Sequence, residues 1–295
     1  MPSWLGEASP LVSITNSVLF FGGHCLAVAG VIRFGWEPSW AAFALLAYCV
    51  QVFGITAGHH RYFSHRSFKT SRPGQFVLAL MGAIAGQRGA LWWAGHHRRH
   101  HARSDRAGDV HSPVEDGLYW AHVGWILSGV HARTPLPAVR DLARYPELVW
   151  LNRFHVLPPL LFPLLVAAVG GPGAAAWSLL STIACYHVIF ATNSVTHRWG
   201  ARPFPTSDNS RNHPLIALLT FGEGWHNNHH HYPYSARVGF RWWQVDISFY
   251  VLVVLERLGL VWDLRRPPPA LLLPPQEVPH VDRQRPGPDP APSYR

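Results

Sequence analysis

The 295-residue chain is 48% hydrophobic and only 14% charged, with 20 His, 3 Cys and a formal net charge of +9. So few charges argue against a soluble fold, since soluble domains carry roughly 25%, and the apolar content excludes disorder over most of the chain. The three Cys lie in apolar runs, which excludes a disulfide framework. The basic excess comes with no nucleic-acid motif, so no nucleic-acid partner is expected.

Four apolar stretches, about 11–32, 39–58, 154–169 and 174–195, approach the ~20 residues that cross a bilayer as a helix. The first has no basic leader and no small-residue cleavage site, so it reads as a retained span. Short turns at 35–38 and 170–173 join the stretches into two helical hairpins. The stretch 76–93 is apolar but interrupted by Gln87 and Arg88, and reads as partly embedded. Of the 25 Lys+Arg, 13 fall in 59–153 and 11 in 196–295. That asymmetry places these segments and both termini in the cytoplasm. The expected fold is an all-α integral membrane protein. It has four transmembrane helices in two hairpins and a cytosolic helical cap (59–153 and 196–264), forming one domain over 1–264. Residues 265–295 hold ten of the 26 Pro and read as a disordered tail.

The His fall into clusters. His60 and His65 are five apart, whereas His97-Arg-Arg-His100-His101 and His226-Asn-Asn-His229-His230 share the spacing HxxHH. Residues three and four apart share a helix face, so each HxxHH presents three imidazoles together. Five apart on an α-helix is not the same face, so His60 and His65 straddle a groove or sit at a helix end. Asn193 and His197 are four apart at the end of the fourth span and share a face. Each cluster follows an apolar stretch, so topology brings all of them to one membrane side. That is too many imidazoles for one tetrahedral zinc and suits two metal ions. His24 and His187, inside spans, read as bonded core groups. His59, His96 and His231 adjoin the clusters as supports or bystanders, and His111, His122, His131, His155, His213 and His280 have no ligand spacing.

These residues resemble the membrane fatty acyl desaturases, specifically the stearoyl-CoA (delta-9) type. The resemblance rests on Gly54-Ile-Thr-Ala-Gly-His-His60-Arg-Tyr-Phe-Ser-His65, Trp93-Ala-Gly-His-His97-Arg-Arg-His100-His101, Asn193-Ser-Val-Thr-His197 and Gly222-Glu-Gly-Trp-His226-Asn-Asn-His229-His230. It implies a non-haem di-iron centre held by His60, His65, His97, His100, His101, His197, His226, His229 and His230, with Asn193 acting through a water. It implies O2 as co-substrate and a cis double bond, at the delta-9 position, placed in a saturated acyl chain carried on CoA. It also implies a bent tunnel past Gln87 and Trp93, closed on span two by Ala44 and Tyr48. A bacterial plasma membrane is the expected location.

The chain departs from that pattern at carrier contacts. Gly95-His96 stands where animal members have an Arg-Asp pair, Arg88 where they have an Asn, and Val114-Glu115-Asp116 where they have a basic pair. An acyl-lipid or acyl-carrier substrate therefore stays open beside acyl-CoA. No His-Pro-Gly-Gly haem motif is present, so electrons are expected from a ferredoxin or a cytochrome b5-like protein with its reductase. Arg98, Arg99, Arg103 and Arg106 offer a docking surface for such an acidic carrier. A related membrane di-iron hydroxylase shares the same ligand types. A His-rich metal transporter would carry its ligands at the midplane of its spans, where this chain has only His24 and His187.

Overall fold

The structure, a computed structural model, describes residues 10–273. Its regular structure is mostly helical, with one two-residue antiparallel pairing, β1 (Lys69–Thr70) with β2 (Val261–Trp262), and isolated bridges from Asn212 to Ala201 and Trp225. Three helices are long and apolar enough to cross a membrane: Pro10–Phe34, Pro38–Ser64 and Leu157–Ser194. Helix α1 (Pro10–Phe34) leaves Leu11, Val18, Leu26 and Ile32 more than 60% exposed. Such a surface is costly in water and is satisfied by lipid.

Helix α2 (Pro38–Phe53) starts with Pro38 in its first turn and with the Glu37 side chain accepting from the Ser39 N–H. It runs without interruption into a π-helical segment, Gly54–Ser64, so this span extends past residue 58. Two glycines let the next helix, α3 (Arg72–Ile84), press against that segment. A Cβ on Gly54 would lie 2.3 Å from the Met81 carbonyl carbon, and one on Gly58 would lie 2.9 Å from the Leu78 oxygen. The stretch 76–93 is divided between α3 and α4 (Ala90–Arg103), with the break at 85–89. Helix α5 (Pro146–Arg153) supports the start of α4, where Asn152 Oδ1 accepts the Trp92 N–H at 2.9 Å.

Helix α6 (Leu157–Ser194) spans 38 residues but is broken at Gly171, whose φ of 81° and ψ of 174° are not helical. Only glycine takes that conformation readily, and Pro172 follows it. The two arms fold back on one another, because Tyr186 and Pro159 both meet Gly86. The Tyr186 hydroxyl donates to the Gly86 carbonyl at 3.0 Å. Small residues set the approach of α6 to α1 and α2: Gly30 faces Ala176, and Gly173 faces Trp40. Gln51 donates to Thr182 Oγ1 at 2.8 Å inside that contact.

The remaining chain packs at one end of these helices. A core of Phe63, Phe68, Leu91, Leu148 and Leu252 joins the π segment to α4, α5 and α9 (Ile247–Arg257). Two short helices, α7 (Pro214–Leu219) and α8 (His226–His231), complete it. The boundary expected at 264/265 falls inside a hydrogen-bonded segment. Arg265 N–H donates to Ser67 O at 2.9 Å, and the Ala236 N–H donates to Arg265 O at 2.8 Å. The first of the residues expected in the tail is thus bonded to the rest of the chain, and 274–295 lie outside the described residues.

Replacing Gly54 with Ala forces backbone of α3 away from the π segment. The expected outcome is a stability loss of about 1–3 kcal/mol, the usual cost of overpacking, read as a lower thermal midpoint of the purified protein.

Candidate metal centre

Winding decides how the first two imidazoles meet. In the π segment hydrogen bonds run five residues apart, and the His65 N–H donates to the His60 carbonyl at 3.2 Å. The five-residue spacing therefore places His60 and His65 together instead of across a groove. Their ring centroids are 4.8 Å apart. Helix α4 brings His97, His100 and His101, and α8 brings His226, His229 and His230. His197 follows the end of α6.

The rings gather into two groups whose nitrogens lie within 4.8 Å of one another: His60, His65, His97, His101 and His229 in one, and His100, His197, His226 and His230 in the other. Adjacent residues of one HxxHH thus serve different groups, because neighbouring positions on a helix point about 100° apart. Ring nitrogens face each other directly. His60 Nε2 is 3.0 Å from His229 Nε2, His65 Nε2 is 2.8 Å from His97 Nε2, and His197 Nε2 is 3.0 Å from His226 Nε2.

A layer of carboxylates fixes these rings from behind. The Nδ1–H of His100 donates to Asp109 at 2.8 Å, that of His197 to Asp105 at 2.9 Å and that of His230 to Asp208 at 2.6 Å, while His60 Nδ1 lies 2.7 Å from a Glu223 oxygen as an ion-pair contact. A proton held at Nδ1 leaves the Nε2 lone pair pointing inward, which is the form that ligates a metal. Among the described residues, the buried Nε2 atoms of His100 and His230 have no hydrogen-bond partner. Converging lone pairs repel one another and are satisfied by a cation between them. Both groups therefore fit a divalent metal ion, and neither contains a Cys or a carboxylate.

The titration behaviour agrees with that role. Burial, with neighbouring rings adding to it, holds His97 and His101 well below the ordinary imidazole range, so both are neutral. Asp105 is held at about 2: burial opposes ionisation, but the His197 bond outweighs it. Asp109 and Asp208 are lowered by the same balance, with His100 and His230 as partners.

The four carboxylates carry no motif of their own, and the sequence reading passed over them. Asp105 and Asp109 follow the first HxxHH by four and eight residues, and Glu223 precedes the second by three; that nearness was the available signal. His111, which has no ligand spacing, lies with its ring centroid 4.4 Å from His100, and its backbone N–H donates to Asp109 at 3.4 Å. Arg98, expected at a docking surface, is instead tied inward, to Asp141 at 2.8 Å and to the Phe63 and Ser64 carbonyls. His24 and His187 bond each other at 3.0 Å, and His187 bonds His122 at 3.0 Å.

A cavity of about 460 Å³ reaches the centre, and His97 and Asn193 line it together with Gln87 and Trp93. Trp93 stacks on His97 with centroids 4.8 Å apart. Tyr48 and Ala44 are not among its lining residues. The Tyr48 hydroxyl donates to Leu219 O at 2.7 Å, and its ring packs on Phe221.

The fatty acid desaturase family model matches residues 34–252. The chain is 39% identical to an acyl-CoA C20 delta5-desaturase of Anemone leveillei, over 85% of this chain and 81% of that protein. It is 36% identical to an icosanoyl-CoA 5-desaturase of Limnanthes douglasii, over 86% and 72% respectively. It is 37% identical to an sn-1 stearoyl-lipid 9-desaturase of Anabaena variabilis, over 88% and 96%. The chain belongs to the fatty acid desaturase family.

Replacing Asp208 with Ala removes the acceptor behind His230. Metal affinity of the purified protein, measured by competition with a chelator, should fall about 10- to 100-fold while the chain stays membrane-inserted. Acid should loosen the fold as well. Burial holds His96 down at about 3 and His131 at about 4, against an ordinary value of 6.5. The unfolded chain takes up protons below about pH 6.5 that the folded chain refuses. The stability linked to these two rings is complete above that pH and is lost as pH falls through it towards about 4. Denaturation midpoints measured between about pH 7 and pH 5 should decline, and the decline should be shallower in His131→Gln.

Proposed function

We propose that this protein is an O2-dependent acyl desaturase that places a cis double bond, at the delta-9 position, in a saturated acyl chain. The observation that carries this reading is the pair of adjacent all-imidazole groups at the end of an apolar cavity running among membrane-length helices. Two non-haem irons, when bound there, supply the oxidation of unactivated methylenes that no acid or base side chain can perform. The five-imidazole group would hold one, and the four-imidazole group, with Asn193 through a water, the other. Two hydrogens leave neighbouring methylenes as the double bond forms. With two electrons and two protons from outside, they reduce one O2 to two waters.

The chain's own residues bind and orient. Glu223, Asp105, Asp109 and Asp208 hold the imidazoles in one tautomer, so the ligand set is formed before a metal arrives. Trp93 and Gln87 wall the cavity beside His97, and a chain lying there presents a methylene pair to the centre. The apolar lining excludes bulk water from the oxidation.

In the membrane, the two arms of α6 count as separate spans, giving four in two hairpins. The cap and both termini face the cytoplasm of a bacterial plasma membrane, in one domain that runs past residue 264. Electrons come from a separate ferredoxin or cytochrome b5-like protein with its reductase. Arg99, Arg103 and Arg106 remain the cationic candidates for docking it.

The test is fatty-acid profiling of a desaturase-deficient host expressing the chain. The expected product is a new monounsaturated acid with its bond at carbon 9, located through dimethyl disulfide adducts, and His100→Ala should abolish it. A hydroxylated acid without a new double bond would overturn the reading in favour of a hydroxylase.

A further inference from the structure

Arg88 is a cation without an anion. It lies on the break between α3 and α4, half-buried, with a left-handed φ of 65° that a non-glycine residue rarely adopts. Its guanidinium reaches the Ala132 carbonyl at 3.3 Å and Asn16 Oδ1 at 3.4 Å, both long contacts. It also lies over the Trp92 ring, 5.0 Å from the centroid. No carboxylate pairs with it among the described residues, so most of its five N–H donors are left for a ligand. Burial lowers its pKa, as expected for a charge held without a counter-ion.

Its position adds to this. Arg88 lines the 460 Å³ cavity and, among the described residues, is the only Asp, Glu, Lys or Arg that does so. Leu19, Leu26 and Leu160 line the same cavity and are 51%, 65% and 53% exposed, so it opens sideways between α1 and the first arm of α6. Such an exposed apolar rim suits lipid better than water. Asn16, in the second turn of α1, bonds the Ile126 carbonyl at 2.8 Å and also meets Arg88, so Arg88 lies near the start of the α1 span. In a bilayer crossed by α1, headgroups would lie near that end of the helix.

We propose that Arg88 binds the phosphate of a membrane glycerolipid whose acyl chain enters the cavity sideways from the bilayer. The planar fork of a guanidinium suits two phosphate oxygens at once. A CoA carrier also bears phosphates. Its long polar head would need further cations along the lining, and the cavity has none besides Arg88. The proposal rests on the desaturase reading for what the chain in the cavity undergoes, and it departs from the acyl-CoA carrier implied by the resemblance.

The test uses the full-length protein in detergent. Native mass spectrometry scores the retention of distearoyl phosphatidylglycerol, of distearoyl monogalactosylglycerol and of stearoyl-CoA. The wild type should favour the phospholipid over the neutral galactolipid. In Arg88→Gln that ratio should fall about tenfold, the loss expected when a charge-assisted contact is removed. Should Arg88→Gln fail to purify as a single species, Arg88→Lys, which keeps the charge but loses the fork, should still lower the ratio by about threefold. An unchanged ratio in the variant that folds overturns the proposal. So does retention of stearoyl-CoA with neither lipid, which assigns the phosphate to CoA instead. Lipid selectivity that depends on Arg88 in a protein that forms no double bond would overturn the desaturase reading alone.

Discussion

Nine imidazoles turned inward with their lone pairs bare are an unstable arrangement unless something behind them holds each ring in place. Here that something is carboxylate. Asp105, Asp109 and Asp208 each accept a hydrogen bond from an Nδ1–H and Glu223 sits in ion-pair contact with His60, and each stays anionic because the groups it serves and nearby hydrogen bonds outweigh the cost of burying it. The carboxylates must themselves be placed, and much of the cap serves that end. Asp105 also accepts from the Asn209 N–H at 2.7 Å, Asp109 from the Asp105 N–H at 2.9 Å and Asp208 from Ser210. Glu223 and Asp246 share the buried guanidinium of Arg61, which links α9 to the π segment.

The same demand explains the departures from regular helix. An ordinary α-helical turn at the end of α2 would set His60 and His65 on different sides. The π winding brings them into one group, and Gly54 and Gly58 allow α3 to brace that wider segment at backbone distance. Gly82 has a related part: a Cβ there would strike the His59 ring at 2.5 Å, so the ring next to His60 occupies space that any larger residue would fill. The Gly171 break lets both arms of α6 reach Gly86, beside the cavity mouth. Membrane helices that pack through small residues thus carry, at one end, a polar centre that tolerates little displacement.

Much of this was legible in the chain as written. The apolar stretches, the turn at 170–173 and the three His clusters follow from composition and spacing, which respond to local chemistry alone. The run of helix past residue 58 and the bonding of residue 265 were not legible for the same reason. Nothing local distinguishes a π segment from an α-helix, and the bonds from residue 265 to Ser67 and Ala236 join distant parts of the chain. Arg98 looked like a free surface cation because Asp141, its partner, is 43 residues away.

Local pattern by itself determined that the chain is membrane-embedded, that its imidazoles come in sets of shared face, and which of them belong together within each set. Only the tertiary structure decided how the sets are divided: His101 goes with His60 and His229, while His100 goes with His197 and His226. The reason is geometric. Helix periodicity states the direction of each side chain relative to its own axis. The partner it meets depends on where three other elements place theirs, and packing between those elements sets that.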